Sequence, residues 1–208
     1  SVRYSPTLMP VTDGKGTGKL DLAEEVLTIN GESGKIGELQ GRDIKVVVTD
    51  LMRAGAGYVT VDLKAKGPVS TALGYIAADP INMGKEQIGI DASKVKGSID
   101  AAVSVGLPTV KDIPKEDVKV EINGTLSDLS IPEVVEGLTL SGGPLTLATE
   151  PGGFRIKGDA ALAGRATKLE WHQYFESKGN PYSMKINASI GADQELRNHF
   201  GVNLDDYI

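Results

Sequence analysis

The stretch Lys96-Gly97-Ser98-Ile99-Asp100-Ala101-Ala102-Val103-Ser104-Val105-Gly106-Leu107-Pro108 decides the fold class. Ile99, Ala101, Val103 and Val105 alternate with Ser98, Asp100, Ala102 and Ser104. A period of two puts successive side chains on opposite faces, so one face is aliphatic and the other meets water. The same rule holds to either side. Val59, Val61, Leu63 and Ala65 alternate with Tyr58, Thr60, Asp62, Lys64 and Lys66, and Val118, Val120 and Ile122 with Lys119, Glu121 and Asn123. Phe154, Ile156, Ala160 and Leu162 oppose Arg155, Lys157, Asp159 and Ala161, and Met184, Ile186, Ala188 and Ile190 close the series.

Between these runs stand Asn30-Gly31, Asn123-Gly124, Gly142-Gly143-Pro144 and Pro151-Gly152-Gly153, which read as hairpin turns. The expectation is a mainly β chain: a long antiparallel meander of about a dozen strands, each of about five to seven residues. Two segments depart from period two. Val69, Leu73 and Ile76 follow Gly67-Pro68 at helical spacing, with Pro68 near the first helical position. Leu196 and Phe200 follow Asp193, which reads as an N-cap, with Gly201 as C′. No composition break divides the chain, so residues 1–208 read as a single segment. The abrupt start at Ser1-Val2-Arg3 and end at Asp206-Tyr207-Ile208 suggest a piece of a longer protein.

Composition narrows the function classes. Of 208 residues 40% are hydrophobic, which supplies a core, and the net charge of −6 without basic-aromatic clusters disfavours nucleic acid. Absence of cysteine excludes disulfides and thiolate metal sites. The longest apolar run, about residues 75–78, is too short to span a bilayer.

Several chemical motifs fail on inspection. In Asp13-Gly14-Lys15-Gly16-Thr17-Gly18-Lys19-Leu20 a phosphate loop would need Gly at Asp13 and Ser or Thr at Leu20, so the stretch reads as a glycine turn. Glu32-Ser33-Gly34 lacks the spacing of a nucleophile elbow and reads as a hairpin turn. His172 and His199 have no ligand-spaced partner and read as surface residues. Trp171 reads as an edge aromatic capping the sheet. The glycosylation-type triplets at Asn123 and Asn187 read as ordinary turn and strand residues. A carbohydrate-active enzyme would need a facing carboxylate pair, and no spacing supports one. No catalytic residue, cofactor or metal is expected.

A one-sided sheet of this length must cover its aliphatic face. It can fold into a closed sandwich or barrel, serving as a structural or protein-binding module. It can also curl into a taco-like trough whose lining is covered by an apolar ligand. Aromatics make up only 5% of the chain, which favours a smooth aliphatic lining. The candidate lining residues are Val59, Val61, Leu63, Ile99, Val103, Val105, Val118, Val120, Ile122, Leu138, Leu140, Leu145, Leu147, Ile156 and Leu162.

An ordered set of features over residues 97–171 resembles the AsmA-like superfamily, in particular its YhdP-type branch, with TamB more distant. It runs Gly97-Ser98-Ile99-Asp100, Leu107-Pro108, Pro114-Lys115-Glu116-Asp117-Val118 and Asn123-Gly124-Thr125-Leu126-Ser127-Asp128. It continues Ile131-Pro132, Gly137-Leu138, Gly143-Pro144-Leu145-Thr146-Leu147, Phe154-Arg155-Ile156-Lys157-Gly158, Ala163-Gly164-Arg165-Ala166-Thr167 and Glu170-Trp171. Gly67-Pro68 and the stretch from Leu196 to Val202 also fit. The resemblance implies a repeating β-groove, a bridge-like lipid-transfer protein of the periplasm. It implies an anchor in the inner membrane outside this stretch, and conduction of phospholipid toward the outer membrane. The implied partners are phospholipid acyl chains and neighbouring β-groove segments of the same full-length chain. It brings no catalytic residues.

Overall fold

The computed structural model describes residues 11–53, 55, 57–78, 90–110, 113–114, 117–135, 137–174, 183–191 and 193–201. The chain ends, and Lys115, Glu116 and Val202 of the pattern above, lie outside the described residues.

The protein is mainly β. Ten strands form one antiparallel sheet in sequence order: β1 (Val11–Asp21), β2 (Val26–Ile36), β3 (Leu39–Thr49), β4 (Tyr58–Pro68), β5 (Lys96–Pro108), β6 (Lys119–Val135), β7 (Leu138–Glu150), β8 (Gly153–Leu162), β9 (Arg165–Tyr174) and β10 (Met184–Ile190). The order never returns to β1, so the meander is not closed into a barrel. Nine inter-strand steps of about 4.8 Å give a sheet roughly 43 Å across. The strands are fewer and longer than their sequence suggests, because several glycines that read as turns lie inside strands. Asn30-Gly31 is mid-β2, Asn123-Gly124 mid-β6 and Gly142-Gly143-Pro144 mid-β7, and only Pro151-Gly152 forms a turn. The glycine-rich run of β1 and Glu32-Ser33-Gly34 of β2 are likewise strand.

Close approach explains these glycines. A Cβ on Gly124 would stand 2.4 Å from the Ala101 Cβ, and one on Gly31 3.1 Å from the Ile44 Cβ. Gly142 and Gly143 take φ of +141° and +135°, where the β7–β8 register shifts. A residue with a Cβ is strained there, so the bulge selects glycine.

Helix α1 (Val69–Ala77) begins directly after Pro68, which occupies the N-cap position. Helix α2 (Gln194–His199) is capped by Asp193, whose carboxylate accepts from the Leu196 amide at 2.9 Å. Gly201, at φ +69°, follows the Phe200 C-cap as C′. A 3₁₀ turn, Ala92–Lys94, precedes β5.

The core sits toward one end of the sheet. Leu126, Leu129, Ile131, Leu140, Leu145, Leu162, Leu169 and Trp171 are all buried there, together with Val95 and Val69. Ala72 and Leu73 of α1 and Ile90 pack against that cluster. Trp171 is 1% exposed and stands in register between Ile156 and Ile186, on the penultimate strand. It is a core residue and not an edge cap, because the period-two phase of β9 turns it inward. On the wet face, Asp100 lies within 3.6 Å of both Arg42 and Lys66, and Lys64 donates to Asp43 at 2.8 Å. That hydrogen bond, with the adjoining ammonium charge, holds the Asp43 carboxyl below its usual range.

Candidate functional site

Register builds the candidate face row by row. Leu20, Leu27, Val48, Val59 and Leu107 stand in line across β1 to β5. Ile29, Val46, Val61, Val105 and Val120 form the next row, reaching β6. Leu63, Val103 and Ile122 form a third. Directly paired residues of an antiparallel sheet share a face, so these rows make one continuous aliphatic surface. These thirteen positions, about 4.8 Å apart between strands and 6.7 Å along them, cover roughly 420 Å². That lies within the ~300–600 Å² of the largest apolar patch on an ordinary monomer, a size often tied to function.

Among the described residues this surface stays partly exposed. From Tyr58 to Leu63 hydropathy alternates but burial does not: every residue is partly exposed, on both faces. The sheet there is a single layer. In β7, by contrast, Leu140, Leu145 and Leu147 are buried and Thr139, Thr146 and Pro144 exposed, the mark of a covered face. Leu20 is 55% and Ile29 39% exposed at the margin of the open rows.

The structure therefore divides the fifteen candidates. Val59, Val61, Leu63, Val103, Val105, Val120 and Ile122 lie on the open face and are half-buried, Val103 and Ile122 at its border with the core. Val118 is half-buried just before β6, and Leu138 packs at the margin of the core. Ile99, Leu140, Leu145, Leu147, Ile156 and Leu162 are inside the core. They share the apolar phase of their strands but are covered by protein, so they support the face rather than line it. Between the two zones runs a row of small residues, Ala65, Ala101 and Gly124, where the strands approach closely.

Leu20, Leu27, Ile29, Val46, Val48 and Leu107 belong to the open face and were not among the candidates. Leu27 and Ile29 do flank Thr28 in period two; the unbroken Val46-Val47-Val48 hides the phase of β3.

His172 is not a simple surface residue. Its Nδ1 meets Glu150 Oε1, its Nε2 lies 3.6 Å from Glu170, and its ring stacks on Tyr174. These contacts tie β7 to β9 on the polar face. His199 is exposed. Among the described residues no group of three or more His, Asp or Glu is arranged to hold a metal ion, and no helix is long and apolar enough to cross a membrane.

No protein family, curated protein or solved structure matches this chain.

Proposed function

We propose that this chain binds lipid acyl chains on the open aliphatic face of β1 to β6 and acts, without covalent chemistry, as one segment of a phospholipid conduit between the inner and outer membranes. The observation that carries this is the uncovered single-layer region. About a dozen aliphatic side chains remain partly wet, and covering each yields on the order of 1 kcal/mol. An acyl chain is the matching ligand because the face offers methyl and methylene groups and, in its three rows, no charged or hydrogen-bonding side chain. Binding of that kind is non-directional and tolerates sliding, which suits conduction better than a polar site would. The ordered features shared with AsmA-like proteins support the same role and a periplasmic location, with neighbouring segments of the parent chain extending the groove. Organic extraction of the purified protein followed by mass spectrometry should recover phospholipid. Protein purified from a lipid-rich host without bound lipid, and unable to take it up from vesicles, overturns the proposal.

A further inference from the structure

Four of the six large exposed apolar side chains among the described residues gather at one end of the sheet: Leu20 (55%), Leu22 (64%), Leu51 (42%) and Met52 (68%). Leu22 lies in the β1–β2 turn, and Leu51 and Met52 lie in the β3–β4 turn. The two turns stand side by side. The Leu51 amide donates to the Glu25 carbonyl at 3.2 Å, and Arg53 Nε stands 3.8 Å from Glu25 Oε2. Within the first turn the Asp21 carboxylate accepts from the Ala23 and Glu24 amides at 3.1 and 3.2 Å. Leu20 is in register with Leu27, and so it also belongs to the row of the open face nearest these turns. The apolar tip is therefore continuous with the open face.

A protein partner is commonly gripped by aromatic anchors, and the four exposed side chains of the tip include none. Aliphatic side chains projecting from turns suit the boundary of a bilayer, where affinity scales with the apolar area submerged. The charge of the turns narrows the choice of bilayer. Over residues 21–26 and 50–57 four carboxylates, Asp21, Glu24, Glu25 and Asp50, stand against one cation, Arg53. An anionic membrane surface repels that excess, and a zwitterionic one does not. We infer that this tip dips into the interface of a zwitterionic bilayer, Leu22 and Met52 leading, so that an acyl chain passes between the membrane and the open face over Leu20. The inference rests on the acyl-binding role proposed above and adds the place where a membrane meets it.

The test floats the whole chain with phosphatidylcholine vesicles and, separately, titrates it with a dispersed fluorescent phospholipid analogue. Trp171 emission checks folding. The wild type should float with the vesicles. Leu22→Ser combined with Met52→Ser should weaken flotation by about ten- to thirtyfold and leave analogue binding within about twofold. Replacing half of the phosphatidylcholine by phosphatidylglycerol should weaken wild-type flotation by about fivefold at low salt. Equal flotation of the two proteins, or stronger flotation with phosphatidylglycerol, overturns the inference. Analogue binding without flotation also overturns it, and leaves the open face standing; self-association abolished by the two substitutions would then make the tip a contact between copies of the chain. Loss of both flotation and analogue binding in the wild type overturns the tip and the acyl-binding role together.

Discussion

Replacing Val103 by Asp places a carboxylate in the row of the open face that adjoins the core. Val103 is in register with Leu63 on one side and Ile122 on the other, and all three are half-buried. An acyl chain crossing this point loses contact over about three methylenes, at about 0.8 kcal/mol each, which is roughly 2.4 kcal/mol or sixtyfold in affinity. The control must lie on the opposite face of the same strand. Ser104 is unsuitable, because its hydroxyl donates to Asp62 Oδ1 at 2.6 Å and an aspartate there would meet a like charge. Ala102 is exposed and in register with Lys64 and Asn123, so Ala102→Asp adds the same charge with no carboxylate directly opposite it. Titration with a fluorescent phospholipid analogue reads the affinity, and urea unfolding checks that Val103→Asp loses no more than about 1–3 kcal/mol of stability. Unchanged affinity in Val103→Asp, or an equal loss in Ala102→Asp, refutes the assignment of faces.

Further expectations concern the scaffold. Gly124→Ala drives a methyl into Ala101 and the Asp100 carbonyl, 2.4 and 2.5 Å away, and should cost about 1–3 kcal/mol in urea unfolding, whereas Gly14→Ala, with nothing within 4 Å, should be near neutral. Trp171→Ala should destabilise by about 3–5 kcal/mol; Trp171→Phe should cost less, because the indole Nε1 is buried without a hydrogen-bond partner among the described residues. Asp193 is held below its usual pKa first by the Leu196 amide and then by Arg165. Its contribution to docking α2 is therefore complete above about pH 4, the value of the unfolded chain, and is lost as pH falls through the lower folded value. The protection factor of the Leu196 amide should fall over that acid range in the wild type, and Asp193→Ala should show the lowered protection already at neutral pH.

The fold was legible where one residue in two is apolar. In β4, β5, β6 and β8 the alternation fixes which side chains share a face, and the observed register keeps them there. Strand length was not legible, because Gly31, Gly124 and Gly142 signal a turn and a close approach with the same letter. Only the neighbouring strand decides between the two meanings: Ala101 sits against Gly124, and Ile44 against Gly31. The apolar phase of the candidate site was legible for the same reason as the strands. Which rows stay open was not, since cover is non-local. Leu73 of α1 and Ile90 pack on the core that encloses Leu140 and Leu145, while Val61 and Val105 receive no such cover from the described residues. Trp171 was misplaced because its sequence neighbours His172 and Tyr174 point to the other face.

The most direct test of acyl binding is a photo-crosslinking pair on one strand. A benzophenone amino acid is placed at Val61, on the open face, and separately at Thr60, on the opposite face. After illumination in the presence of phospholipid vesicles, the Val61 protein should carry a covalently attached lipid and the Thr60 protein should not. Equal labelling at the two positions, or none at Val61 in folded protein, contradicts the account.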